Sequence, residues 1–83
     1  MLVVTTDEAE RDFDELALTI QDRIVKIYVH LADWPKVSGV KTLTGQWRGC
    51  WRIRTGDYRV IFRVEDDRVI VVRIAHRREV YDA

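Results

Sequence analysis

The sequence predicts an α+β fold in which a helical hairpin packs on a mostly antiparallel, twisted sheet, with the element order βααβββ. Two observations carry this expectation. Apolar residues recur at helical spacing as far as Trp34 and at period two from Gly49 onward. The turn-forming triplets "TGD" at 55–57 and "EDD" at 65–67 then cut the second half into short strands that read as a meander. Eighty-three residues form a single domain, 1–83, because two hydrophobic cores do not fit in that length.

The elements follow in order. "LVV" at 2–4 reads as a short strand. Thr5, followed three residues on by Glu8, fits a capping box and predicts a helix starting near Thr6. Ala9, Phe13 and Leu16 give that helix its apolar face, and it ends near "LAL" at 16–18. Thr19 and Asp22 mark a second start. Ile20, Ile24, Ile27, Leu31 and Trp34 then form one apolar stripe. Pro35 stops it, because the residue before a proline is driven out of the helical region. Residues 36–48, with Gly39 and Gly45, read as a loop.

Beyond Gly49 the alternation sorts residues by face. Trp51 and Ile53 share one side of a strand, and Cys50, Arg52 and Arg54 share the other. Tyr58, Val60, Phe62 and Val64 alternate with Arg59, Ile61 and Arg63. The last strand, "RVIVVRIAH", is apolar on both sides. In the first hairpin, Ile53 opposite Val60 places Arg54 opposite Arg59 and Arg52 opposite Ile61 on the outer face. In the second, the expected register sets Phe62 opposite Ile70, Val60 opposite Val72, Tyr58 opposite Ile74 and Arg59 opposite Arg73. A register one residue off would bury Arg73, which is costly without a partner. Six arginines (52, 54, 59, 63, 73 and 77) are therefore expected on the face turned away from the helices.

Composition narrows the function classes. With 47% apolar residues the chain is a globular candidate. It holds no run of about 18 apolar residues, so no membrane-spanning helix is expected. Its start lacks the basic segment and long apolar core of a signal peptide. The single Cys50 cannot form an internal disulfide, and a reducing, cytoplasmic setting follows as the expectation. The zero net charge conceals a division. Residues 1–40 carry Arg11, Arg23, Lys26 and Lys36 against eight acids, whereas 41–83 carry ten basic residues against six acids. A solvated sheet face would mix Lys, Arg and Glu. This one is nearly all arginine, the side chain suited to bidentate phosphate contact and base stacking. An acidic protein partner is the other reading of the same surface.

The chain closes on "AHRREVYDA", which gathers His76, Arg77, Arg78 and Tyr81. Metal-free RNA cleavage needs a base for the 2′-hydroxyl, cations for the developing phosphorane charge and an acid for the leaving oxygen. Tyr81 has an ordinary pKa near 10, which neighbouring cations would lower. A histidine such as His76 suits either proton role. Arginine stabilises charge but holds its proton beyond pH ~12. No His, Cys and acid grouping has metal-ligand spacing, and no phosphate-cradling glycine loop is present, so neither metal nor cofactor is expected.

The stretch "LTGQWRGCWRIRTGDYRVIFRVEDDRVIVVRIAHRREVY" resembles the RelE/ParE superfamily of toxins from bacterial type II toxin–antitoxin systems. It covers Leu43 to Tyr81, and the preceding helical hairpin agrees in length and placement. The resemblance implies the RelE-like βααβββ fold and, on the RelE side, a ribosome-dependent, metal-independent mRNA endoribonuclease acting in the ribosomal A site. It implies Arg59 at the scissile phosphate, Arg77 as a second catalytic arginine and Tyr81 as general base. Arg52 and Arg54 fall where the best-known RelE-type enzyme has lysines, so His76 or a ribosomal group is implied as acid. Arg63, Arg73 and Arg78 join Arg52 and Arg54 as expected RNA contacts. ParE-type members share the fold, inhibit DNA gyrase and lack this basic and tyrosine set, which leaves a non-catalytic gyrase inhibitor as the alternative. A cognate antitoxin is the implied partner, with DNA binding only through the antitoxin complex.

Overall fold

The computed structural model describes residues 1–77. Its elements are β1 (Leu2–Thr5), α1 (Asp7–Asp14), α2 (Leu18–Leu31), β2 (Val40–Thr42), β3 (Trp51–Thr55), β4 (Tyr58–Glu65) and β5 (Arg68–His76), with a short 3-10 turn over Gly45–Trp47. One five-stranded sheet has the order β1-β5-β4-β3-β2. Every neighbouring pair is antiparallel except β1 and β5, which run parallel from Leu2 opposite Arg68 to Thr5 opposite Val71. The α+β layout agrees with the expectation, and one strand is added to it. Val40–Thr42, inside the stretch read as a loop, pairs with β3 at Trp51, Arg52 and Ile53. Three residues are too few for alternation to show in the sequence.

Helix boundaries follow their caps. The α1 cap is Thr6, whose hydroxyl accepts from the Ala9 N–H at 3.1 Å. That is one residue later than the Thr5–Glu8 box. Thr5 instead donates its hydroxyl to Glu10 at 3.1 Å. Asp7, Glu8 and Glu10 sit in the first turn, where the positive end of the helix dipole favours them. The helix stops at Asp14, short of the expected "LAL". α2 starts at Leu18 with Ala17 at its N-cap position and no side-chain cap, so Thr19 and Asp22 lie inside the helix.

The stripe read on the second helix is the one that packs. Ile24, Ile27 and Leu31 are buried against Ile53, Val60, Phe62, Val69, Val71 and Ile74 of the sheet, with Ala9 from α1. Trp34, just past α2, closes the far end: its ring lies 5.2 Å from Trp51 and 5.5 Å from Phe62. Burial of each large apolar side chain contributes roughly 1.5–3 kcal/mol.

The second hairpin departs from the expected register. Tyr58 stands opposite His76, Arg59 opposite Ala75, Val60 opposite Ile74 and Ile61 opposite Arg73; then the pairing slips, and Phe62 meets Val71 and Arg63 meets Ile70. Val72 is the extra residue of a β-bulge. The bulge lets Val69 and Val71 on one side of it and Ile74 on the other all enter the helix-side core. Regular alternation would send Ile74 outward if Val69 and Val71 point in. Arg59 and Arg73 therefore do not face each other.

Candidate phosphate-binding face

The first hairpin sets the site. Ile53 opposite Val60 fixes the inward side, so Arg54 stands directly opposite Arg59 and Arg52 opposite Ile61 on the outward side, as the alternation predicts. Opposed residues of an antiparallel pair have Cα atoms about 4.5–5.5 Å apart, so two guanidinium stems leave the sheet side by side. β2 extends the row: Lys41 stands opposite Arg52. Lys41 was missed in the sequence because its strand is so short. Arg63 follows on β4, on the same side as Arg59 and Ile61, and its Nε donates to Glu65 at 2.9 Å. Arg54 is exposed, Arg59 and Arg63 are half-buried, and Arg52 retains only 5% of its surface.

Part of this face is apolar. The segment after β2 folds back over it, with the Leu43 N–H donating to the Cys50 carbonyl at 3.0 Å. Leu43, Ile61 and Ala75 form a second buried cluster, flanked by Trp47, Cys50 and Val72. Burial pushes the Cys50 thiol above its ordinary pKa, and the Arg63 charge opposes that shift. A thiol held protonated makes a poor nucleophile, in keeping with a packing role.

Two expected members of the arginine face, Arg73 and Arg77, lie against acids, and His76 sits on the other side of the sheet. Arg73 donates from Nε to Asp12 of α1 at 2.8 Å, at the edge of β5 that β1 leaves uncovered beyond Val71. The same Asp12 oxygen accepts the Ile74 N–H at 2.9 Å. His76 falls in register with Tyr58, on the helix side, and its ring meets the Tyr58 ring edge-on at 5.3 Å. It lines a cavity of about 280 Å³ with Asp12, Glu15, Leu16, Tyr58 and Ile74. The expected register already set Ile74, and with it His76, on the helix side; what the Val72 bulge changes is that Val69 and Val71 point inward in place of Ile70 and Val72. Arg77 is exposed at the end of β5, where its Nε lies 3.6 Å from an Asp57 carboxylate oxygen. Arg78 and Tyr81 lie outside the described residues.

The arrangement is an array of cations on a rigid sheet, suited to gripping a phosphate chain. The strand-interior positions of this face, among the described residues, carry neither His nor Tyr. The groups in place there hold charge and do not exchange protons near neutral pH. No cluster of three or more His, Cys, Asp or Glu among the described residues is arranged to hold a metal ion. No helix among them is long and apolar enough to cross a membrane.

Comparison with known proteins bears on this geometry. A family model described as the ParE toxin of the type II toxin–antitoxin system parDE matches residues 3–81. The crystal structure of the toxin–antitoxin complex RelBE2 from Mycobacterium tuberculosis is similar at a TM-score of 0.78 and 26% identity, covering 90% of this chain and 95% of that one. The RelB–RelE antitoxin–toxin complex from Methanococcus jannaschii gives 0.77 and 24%, covering 95% of each chain. The isolated RelE toxin of E. coli gives 0.74 and 20%, covering 90% and 82%. These last two share the fold. Comparison with curated sequences gives no match.

Proposed function

The chain belongs to the ParE toxin family of type II toxin–antitoxin systems, and on that footing we propose that it acts as a ribosome-dependent mRNA endoribonuclease held in check by a cognate antitoxin. One observation carries the reading: Arg54 directly opposite Arg59, flanked by Arg52 and Lys41, on the sheet face turned away from the helices. A row of guanidiniums on one sheet face is complementary to the spaced charges of a phosphate chain. In this reading Arg59 and Arg54 hold the scissile phosphate and stabilise the charge that develops on it. Tyr81 takes the proton of the 2′-hydroxyl. The 2′-oxygen then attacks phosphorus, and the bond to the 5′-oxygen of the next nucleotide breaks. With His76 on the opposite side of the sheet, the leaving oxygen draws its proton from a ribosomal group.

The family match favours a second reading, a ParE-type inhibitor of DNA gyrase without chemistry of its own. Mapping mRNA ends after brief induction in a bacterial host separates the two. Cuts within codons that disappear in Arg59→Ala and Tyr81→Phe support cleavage. Intact mRNA with stalled replication and DNA damage replaces cleavage with gyrase inhibition.

A further inference from the structure

Outside the arginine face, the strongest unassigned feature is a basic groove over the edge of β3. β2 pairs with β3 only as far as Ile53, so the edge at Arg54 and Thr55 is open. Two adjoining depressions occupy it. One, of about 280 Å³, is lined by Arg23, Lys26, Ile27 and His30 of α2 with Arg54 and Thr55. The other, of about 470 Å³, is lined by His30, Lys41, Arg52 and Arg54 among others. No acidic side chain is among the described residues lining either one. Arg23, Lys26 and His30 recur at i, i+3 and i+7, on one face of α2. The Arg23 guanidinium reaches the β3–β4 turn, where Nη1 lies 3.4 Å from the position a Cβ on Gly56 would take.

We infer that this groove is a second polyanion track, taking the backbone phosphates of a single RNA strand as it leaves the arginine face and turns over the β3 edge onto α2. The inference rests on the RNA reading above and extends it. Continuity is the reason to assign RNA rather than an acidic protein segment. Arg52 and Arg54 belong both to the sheet-face row and to the groove lining, so a chain seated on one is already at the mouth of the other. Spaced phosphates also match a run of cations that offers no apolar anchor beyond Ile27, Val40 and Ile53. Binding of this kind is insensitive to sequence and steeply dependent on salt.

The test uses the purified chain and 2′-O-methyl RNA, which lacks the attacking hydroxyl. A trinucleotide and an oligonucleotide of about 12 residues are titrated by fluorescence anisotropy over a salt series. Arg23→Gln with Lys26→Gln, at exposed helix positions, is expected to weaken the long oligonucleotide about tenfold and leave the trinucleotide unchanged. The salt slope should flatten by roughly 0.7 for each phosphate that is no longer neutralised. Arg23→Glu with Lys26→Glu should weaken it further, with the melting temperature reporting an intact fold for both. If Arg59→Ala weakens binding while the α2 variants do not, the groove inference fails alone. Equal reductions for short and long oligonucleotides also overturn it. Weakened antitoxin binding with unchanged RNA binding assigns the groove to the protein partner instead. No binding by the wild-type chain at low salt overturns this inference, while the ribosome-dependent reading stands or falls on the mapping of mRNA ends.

Discussion

One Asp12 oxygen on α1 holds two donors of β5 at once, the Arg73 Nε at 2.8 Å and the Ile74 backbone N–H at 2.9 Å. It ties the first helix to the last strand where β1 has ended. Asp12→Ala removes these two hydrogen bonds and a longer one from Arg73 Nη2 to the other carboxylate oxygen, and leaves a backbone donor at a partly covered edge. A loss of about 2 kcal/mol is expected, read as a lower denaturant midpoint at unchanged slope. Asp12→Asn, which can still accept one N–H, should recover part of it.

Arg59 and lysine are not interchangeable if the phosphate is gripped by a planar fork. Arg59→Lys keeps the charge but loses the paired N–H donors, and cleavage of ribosome-bound mRNA should fall about tenfold. Arg59→Ala should fall by about 100-fold or more, the usual effect of deleting a group that stabilises transition-state charge. Equal activity of the lysine variant would remove the fork from the mechanism.

The Tyr28 hydroxyl is buried with no hydrogen-bond partner among the described residues. Burial first, then the Asp12 and Glu10 charges, push its pKa from 10.0 up to about 12. The folded state thus disfavours the phenolate relative to the unfolded chain. Its contribution is intact below pH 10 and is lost as pH rises towards 12. Because the side chain is only partly covered, about 1 kcal/mol is the expected scale. Tyr28→Phe should leave neutral stability unchanged or slightly higher, and should reduce the loss of stability between those two pH values in alkaline melts.

The two β-hairpin turns should respond in opposite directions. Gly56 has φ +57 and Asp66 has φ 53, both left-handed. Gly56→Ala forces a Cβ into that region beside Arg23 and should cost about 1 kcal/mol. Asp66→Gly relieves the same strain and should be neutral or stabilising by up to about 0.5 kcal/mol. Thermal melts of the two variants check the pair.

The first hairpin was legible because apolar and basic residues alternate without exception from Trp51 to Arg54, so only one register buries Ile53 and Val60. The last strand was not. With Val69, Ile70, Val71 and Val72 in succession, either parity buries an apolar set, and nothing local marks Val72 as the bulge. That ambiguity put Ile70 and Val72 in the core in place of Val69 and Val71 and set Arg73 against Arg59. The Asp12 hydrogen bond that claims Arg73 spans 61 residues and leaves no mark on sequence spacing. The α2 stripe was readable because four apolar residues repeat at one angular position. The Lys41 strand was too short to read, and its partner alone defines it.

The first and last strands lie side by side, and the Thr6 hydroxyl bonds to a carbonyl 66 residues further along the chain. A nascent chain can therefore make its β3–β4 hairpin early, but β1 stays without its neighbour until β5 has been synthesised. Such distant pairing slows folding because loop closure precedes its reward. A chain cut after Glu65 should lack cooperative unfolding. The five-stranded sheet behind the arginine face is whole only once β5 has closed on β1.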